Sequence, residues 1–277
     1  MHPVTRSLLI DLSHPLAEPM PCYPGDPEFK THLACSFPLA SSKCESRVPN
    51  ANATTNSNNS GVPNTSDMVV TVTHLSLGTH TGTHIDAPFH FFPSGKKLHE
   101  IELDRFVGRA IVLDVRHLGN SERAMIDWVA LSSSSTIASG LSQVGSRDEG
   151  KADIVLLWTG WEVHWGTPKY FAHPYFSREV ARKLRDHGAR IVGVDVLSPD
   201  ETPIDENTET KHGWGVHEVL LGSEVLICEN LRGVRDLVDV GGGEGEEIWV
   251  NLMPLSIYGA DGAPVRAYGW KKYPAAH

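Results

Sequence analysis

The sequence is poor in cysteine and has no long hydrophobic run. Its 277 residues include only 4 cysteines, and none of them forms a CxxC pair. Intracellular chains of this length do not depend on disulfides, so we expect free thiols. No apolar segment approaches the roughly 20 residues that a membrane-spanning helix needs, which argues against a membrane protein. The amino-terminal residues show no secretory pattern, and we therefore expect a cytoplasmic protein.

Positive charge is also scarce. The chain has 24 lysines and arginines against 34 aspartates and glutamates, so its formal net charge is -10. No basic run is present, and a nucleic acid or an anionic membrane would have to bind against the overall field of the protein. The expected partner is a small-molecule substrate, with neither nucleic acid nor membrane.

Two segments are too polar to predict as part of a core. Residues 41–67 consist largely of serine, asparagine and threonine, and such a segment buries too little apolar surface to offset the entropy of ordering. We predict a surface insertion there and a second loop over residues 132–152. The length and the 40% hydrophobic content suit one domain over residues 1–277, interrupted by the polar insertion at about 41–67.

Short apolar runs indicate buried strands around one clear helix. Ser177 is a plausible N-cap for "REVARKLRDH", and Gly188 then suits the position after the last helical residue. A strand on either side of this helix predicts a βαβ unit. Strands are predicted over residues 68–77, 110–115, 153–158, 190–196, 224–228 and 248–259. The pattern predicts an α/β fold with a mixed central β-sheet.

The stretch "GTHTGTHIDAPFHF", residues 78–91, is unusually rich in proton-active side chains. Its histidines and aspartate are His80, His84, Asp86 and His90. A straight strand would spread them over about 33 Å, at roughly 3.3 Å per residue, so they can form one site only if the chain bends. Gly82 and Pro88 are the expected bends. Imidazoles and a carboxylate without a nearby thiolate suit Zn²⁺ or Mn²⁺. The alternative is a set of separate polar groups on a surface loop.

The same stretch carries a family resemblance. "HTGTHIDAPFH" matches the signature HxGTHxDxPxH of the family that includes bacterial kynurenine formamidases, isatin hydrolases and cyclase-like proteins. The resemblance extends over most of the chain apart from the two polar loops, and it implies the swivelling β/β/α fold of that family. It continues in "YPGDP" (23–27), "VLLWTGW" (155–161), "IVGVDVLSPD" (191–200), "HEVLLGSEVLICENL" (217–231) and "PVRAYGW" (264–270).

The resemblance implies a role for each matching residue. The family's metal ligands fall on His80, His84, Asp86, His217 and Glu229, which implies one or two Zn²⁺ or Mn²⁺ ions per chain. His90 falls on the family's proton donor and acceptor. Tyr23 stands where formamidases typically have a tryptophan that lines the substrate pocket, so an aromatic platform is kept while the N-formylkynurenine pocket itself is altered.

The activity that the resemblance implies is hydrolysis of a small amide C–N bond by metal-activated water, as in an arylformamidase or an isatin hydrolase. One alternative is a cyclase or lactonase that acts on another carbonyl substrate. A second is a non-catalytic protein that retains a structural metal site. His90 argues against the second alternative, because a structural site has no need of an unliganded histidine beside it.

We also expect a homo-oligomer, with a dimer favoured. Trp158, Trp161, Trp165 and Trp214 could line an aromatic pocket. The favoured expectation is that most of them lie in the core or at the dimer interface, where aromatic side chains contribute much of the burial.

Overall fold

The computed structural model describes residues 9–38, 69–145, 152–203, 210, 212–239 and 247–272. The chain divides into two compact units, one built from residues 28–77 and the other from residues 1–27 and 78–277. The predicted insertion at 41–67 lies outside the described residues, and so do residues 146–151 of the second predicted loop. The single domain over 1–277 with its insertion therefore stays a prediction.

The described residues contain thirteen strands and five α-helices. The strands are β1 (Ile10–Asp11), β2 (Lys30–Pro38), β3 (Val69–Ser76), β4 (His84–Asp86), β5 (Val107–Asp114), β6 (Met125–Ile126), β7 (Ile154–Trp158), β8 (Tyr175–Phe176), β9 (Ile191–Val194), β10 (Leu226–Glu229), β11 (Glu247–Asn251), β12 (Gly262–Pro264) and β13 (Tyr268–Lys272). The helices are α1 (Trp128–Ser132), α2 (Ser135–Leu141), α3 (Arg178–Asp186), α4 (Gly215–Leu221) and α5 (Val234–Asp239). None of these helices is long and apolar enough to cross a membrane.

Nine of the described strands form one sheet in the order β1-β13-β11-β5-β7-β9-β10-β4-β12. Strands β5, β7, β9 and β10 run parallel to one another, whereas the pairs at both ends of the sheet are antiparallel. The predicted α/β class with a mixed central sheet is confirmed. In the unit of residues 28–77, β2 pairs antiparallel with β3.

The predicted βαβ unit is present in the middle of this sheet. Strands β7 and β9 are parallel neighbours, and α3 lies between them in sequence. The Ser177 side chain accepts a hydrogen bond from the Val180 N–H and caps α3. Gly188 follows the helix with φ +95°, a left-handed conformation that favours glycine. The capping residues predicted from the sequence therefore bound this helix as expected.

Two predictions of secondary structure are wrong: part of a predicted loop is helical, and one predicted strand is too long. Residues 132–152 contain helix α2, which begins after the N-cap Ser134 and buries Ile137 and Leu141 one turn apart. Those two apolar side chains anchor a segment whose serines had indicated a loop. The strand predicted over 248–259 ends at Asn251, and Pro254 then makes only an isolated bridge.

Apolar side chains pack on both faces of the large sheet. Along β7, Val155 and Leu157 belong to a cluster with residues of α1 to α4, whereas Ile154 and Leu156 belong to a second cluster that includes residues of α5. This alternation follows from the two-residue period of a strand. Strand β4 is buried over its whole length between β10 and β12, so its side chains are held by neighbours on both sides.

Candidate metal and catalytic site

The site is built on the antiparallel pair of β4 and β10. His84 and Asp86 lie two residues apart on β4 and therefore share a face of the sheet. Glu229, the last residue of β10, lies directly opposite His84. All three side chains are buried. Ile85 faces the opposite side and is fully buried in the apolar cluster there, so the register of these strands places the polar face at the site.

Both predicted bends bring further histidines to this face. Gly82 has φ +64°, and the turn there brings His80 Nδ1 to 2.7 Å from Asp86 Oδ1. Pro88 begins a 3₁₀ turn that ends at His90, and the His90 and His80 ring centroids are 4.0 Å apart. The four residues of the stretch thus converge, as the sequence predicts.

His217 reaches the site from α4, whose first turn contains it. Its Nε2 is 3.3 Å from Glu229 Oε1 and 3.7 Å from Asp86 Oδ2. Its Nδ1 lies 2.7 Å from Asp200 Oδ2, and the Asp200 carboxylate also accepts hydrogen bonds from the backbone N–H groups of Val216 and His217. Asp200 is therefore an acceptor that holds the His217 ring with Nε2 directed at the other two carboxylates.

Three buried atoms at the centre of the site lack a well-formed hydrogen bond. His84 Nε2, Asp86 Oδ2 and Glu229 Oε1 form no hydrogen bond of acceptable geometry among the described residues, and the ion-pair distances that link them to one another's residues and to His217 are 3.3–3.7 Å. Buried polar atoms without partners are rare, and each such atom calls for a missing water or ion. One imidazole nitrogen with two carboxylate oxygens is a donor set for a borderline divalent cation. The residues present therefore fit a divalent metal ion.

The donor atoms fall into groups that share residues. Within each group they lie within 4.8 Å of one another: His80, His84 and Asp86 form the first, and Asp86, His217 and Glu229 the second. Asp86 belongs to both, as a bridging carboxylate would. A third group consists of His80, His90 and Asp261.

The electrostatics of the site favour ionised carboxylates. Burial opposes ionisation of Asp86, but the charges of His80 and His84 and the hydrogen bonds of the surrounding histidines outweigh it and hold its pKa well below the usual value. Burial likewise opposes protonation of His84, while the Asp86 charge and the 3.3 Å contacts of Nε2 with Asp86 and Glu229 raise its pKa to about 10. Protons and a cation therefore compete for the same donor atoms, and binding of the cation releases protons.

A cavity of about 260 Å³ opens onto the five predicted ligands and His90. Its aromatic wall consists of Tyr23, Phe91 and Trp214. The Trp214 ring lies 5.6 Å from the Tyr23 ring and 5.5 Å from the Phe91 ring, measured between centroids. Trp158 and Trp161 are buried in the two apolar clusters, and the partly buried Trp165 packs against the cluster that contains Trp161. Of these four tryptophans, only the 40% exposed Trp214 lines the cavity.

The sequence of this chain also matches a family model over much of its length. The model named Cyclase, described as "Putative cyclase", matches residues 10–201, which is well over half of the chain. The chain belongs to the cyclase family.

Named relatives of this cyclase-family chain align over nearly its whole length. The kynurenine formamidase of Bacillus thuringiensis (strain Al Hakam) is 30% identical over 258 residues, covering 93% of this chain and 95% of the relative. The kynurenine formamidase of Geobacillus thermodenitrificans (strain NG80-2) is 29% identical with the same coverage.

Solved structures share the fold of this cyclase-family protein. Isatin hydrolase A from Labrenzia aggregata, bound to benzyl benzoate, superposes with a TM-score of 0.66 at 19% identity and covers 95% of this chain and 93% of that one. A structure described as a novel cyclase has a TM-score of 0.68 at 15% identity, covering 96% of this chain and 89% of that one. At these identities the likeness establishes the fold.

Some residues of the cyclase-family site were not predicted from the sequence. Asn230 donates to the Gly82 carbonyl and accepts from the Tyr170 hydroxyl, which secures the turn at Gly82. Asp200 orients His217, and Asp261 lies against His80 and His90. Asn230 and Asp261 are far along the chain from their partners, whereas Asp200 lies 17 residues before His217. Asp200 and Asn230 fall inside stretches that carry the family resemblance, but no local pattern assigns a role to any of the three.

Proposed function

We propose that the protein is a metal-dependent hydrolase that cleaves the C–N bond of a small aromatic or cyclic amide, in the manner of an arylformamidase. The observation that carries the proposal is the group of unsatisfied buried atoms on His84, Asp86 and Glu229, at the base of an aromatic-walled cavity. The 30% identity to a kynurenine formamidase over 93% of the chain supports the reaction class.

The proposed ligands are His80, His84, Asp86, His217 and Glu229, and they would hold one or two Zn²⁺ or Mn²⁺ ions. Two donor groups that share Asp86 support a paired site. When bound, such a cation lowers the pKa of water and polarises a carbonyl oxygen. The chain's own contribution is to present ionised carboxylates and oriented imidazoles: Asp200 holds His217 by Nδ1, and the Gly82 carbonyl lies 2.8 Å from His84 Nδ1.

His90 is the proposed proton donor and acceptor. Its ring lines the cavity, and its side chain is 28% exposed, in contrast to the buried His84 and His217. Its Nδ1 lies 3.2 Å from Asp261 Oδ2. With Nδ1 engaged, Nε2 is the nitrogen that can take a proton from water and deliver it to the leaving amide nitrogen.

Tyr23 is proposed to contact the substrate. It lines the cavity beside Trp214, and its hydroxyl is buried without a hydrogen-bond partner among the described residues. Burial is the main cause that raises the pKa of this phenol, and nearby carboxylates add to it, so the hydroxyl stays protonated. A protonated, unsatisfied hydroxyl can donate to an acceptor on the substrate ring or its carbonyl.

The test is a substrate panel assayed with the metal-loaded protein. The panel contains N-formylkynurenine, isatin and a simple aryl lactone, with formate release and ring opening as the measured products. The proposal expects turnover of at least one amide at a kcat/KM well above that of the lactone. Turnover of the lactone alone would replace the proposal by a lactonase activity. No turnover of any member would support the structural-metal alternative.

We also propose that the protein is a cytoplasmic homodimer. A dimer is the expected result of light scattering on the purified chain. Cell fractionation checks the location.

A further inference from the structure

Asp261 connects two histidines of the site through one oxygen atom. Its Oδ2 lies 2.9 Å from His80 Nε2 and 3.2 Å from His90 Nδ1. The Thr79 hydroxyl also hydrogen-bonds this carboxylate. A carboxylate oxygen accepts hydrogen bonds, so the ring nitrogens of His80 and His90 that face Asp261 Oδ2 are the donors in these two contacts.

The backbone fixes where this carboxylate stands. The Asp261 carbonyl accepts a hydrogen bond from the Ala87 N–H at 2.8 Å, and strand β12 begins at the next residue. In the β4–β12 pair Gly262 lies opposite Asp86. The Asp261 backbone is therefore fixed beside the end of β4, the strand that carries two of the proposed metal ligands.

The consequence for His90 is a choice of tautomer. A neutral histidine carries one ring proton, and the carboxylate at Nδ1 favours the tautomer with the proton there. Nε2 then keeps its lone pair and is ready to accept a proton. A free imidazole beside the cavity would divide its population between tautomers and orientations, which lowers the fraction competent for proton transfer.

We infer that Asp261 is a positioning residue for the reaction: it holds the His90 ring with Nδ1 protonated and Nε2 available, and it steadies His80 by the same oxygen. This inference rests on the proposed function, because it takes His90 as the proton-transferring group. A rival assignment is that Asp261, with His80 and His90, is itself a metal ligand, since these three groups also lie close enough together to hold an ion.

The experiment is a double-mutant cycle on the metal-loaded protein. Asp261→Asn keeps the size of the side chain but exchanges the carboxylate for an amide, whose NH₂ group no longer requires a proton on the facing nitrogens. Metal content per chain, kcat and KM are measured for wild type, Asp261→Asn, His90→Ala and the double variant. The exposed Asp104, which does not line the cavity, supplies the control Asp104→Asn.

Positioning predicts a specific combination of results. Asp261→Asn keeps the wild-type metal content and has a kcat reduced by roughly 10–100-fold, the usual effect of removing a partner that orients an active-site histidine. Its KM changes little. In the His90→Ala background the same substitution lowers kcat no further, because its effect passes through His90. Asp261→Glu, which restores a carboxylate, recovers part of kcat. Asp104→Asn behaves as wild type.

Each other result overturns the inference. Loss of a metal ion in Asp261→Asn assigns Asp261 as a ligand. An unchanged kcat, or a further loss of kcat in the double variant as large as in the single one, removes the link to His90. An increase confined to KM makes Asp261 a substrate contact. If Asp261→Asn does not fold, as judged by circular dichroism, Asp261→Glu decides by the same comparison. A wild-type kcat in His90→Ala contradicts the proton-transfer role of His90 and the inference with it, whereas absence of amide turnover by the metal-loaded wild type contradicts the proposed function, so the two failures are distinguished.

Discussion

The close approach of Gly262 to His80 gives a prediction that depends directly on the geometry of the site. A Cβ atom at Gly262 would lie 2.9 Å from His80 Cε1 and 2.8 Å from the Ile85 carbonyl oxygen. Contacts this short do not persist, so in Gly262→Ala either the imidazole or strand β12 must move. Because β12 is paired to β4 along Gly262–Pro264, both routes displace a proposed metal ligand.

The expected size of the effect follows from these contacts. Overpacking in a filled region costs about 1–3 kcal/mol of the free energy of unfolding, and in a chain of this size each kcal/mol lowers Tm by about 2–4 °C. Moving His80 out of its orientation should lower the affinity for the cation by roughly 10–100-fold, which is the usual effect of removing the hydrogen-bond partner of a metal-binding histidine. We therefore expect Gly262→Ala to lose both stability and metal affinity.

The matched control is Gly78→Ala, at the start of the histidine-rich stretch. The three atoms nearest to a Cβ at Gly78 all belong to Pro27, and the first of them lies at an ordinary contact distance of 3.4 Å. The assay is a titration of metal-stripped protein with Zn²⁺ against a chromophoric chelator, together with thermal unfolding. If Gly262→Ala binds Zn²⁺ and unfolds like Gly78→Ala and the wild type, the close approach of Gly262 to His80 does not constrain the site.

Three further predictions concern single side chains. Asp86→Ala should lose bound metal, because Asp86 belongs to both groups of candidate ligands; full occupancy by elemental analysis would contradict its assignment. Tyr23→Phe should retain the metal and the fold. It should lower kcat/KM by about 5–30-fold for a substrate that accepts a hydrogen bond from the Tyr23 hydroxyl, since such a bond contributes roughly 1–2 kcal/mol. Wild-type kinetics with every amide tested would show that the hydroxyl does not contact the substrate. Burial lowers the pKa of His173 from 6.5 to about 4. Between these pH values the unfolded chain binds a proton that the folded chain does not. The free energy of unfolding therefore falls as the pH falls from 6.5 to about 4, by up to about 3 kcal/mol. Denaturant unfolding of His173→Gln from pH 7 to pH 4 should show a shallower decline than wild type, and an identical decline would show that His173 does not contribute.

The sequence was most informative where chemistry and backbone constraints coincide. His80, His84, Asp86 and His90 can converge only through bends, and Gly82 and Pro88 are both suited to bending and in the right places. The structure places turns at both. The helix at Arg178–Asp186 was predicted for a similar reason, since Ser177 and Gly188 are residues whose preferred positions lie at helix ends.

The contacts that complete the site depend on strand pairing between distant segments. Asp261 lies 181 residues from His80 in sequence, and only the pairing of β12 with β4 brings them together. Nothing in the local sequence around Asp261 indicates a partner. Helix α2 was missed because serine, threonine and glycine make up four of its seven residues. Its two buried side chains, Ile137 and Leu141, are placed in the core by tertiary packing.

Removal and stepwise return of the cation shows whether amide turnover depends on it. The protein is stripped with a chelator, shown by elemental analysis to be metal-free, and reloaded stepwise with Zn²⁺ or Mn²⁺ while hydrolysis of the best amide substrate of the panel is followed. We expect the stripped protein to lose amide turnover and to regain it in proportion to the ion bound, up to one or two ions per chain. Full turnover by the metal-free protein would contradict this expectation.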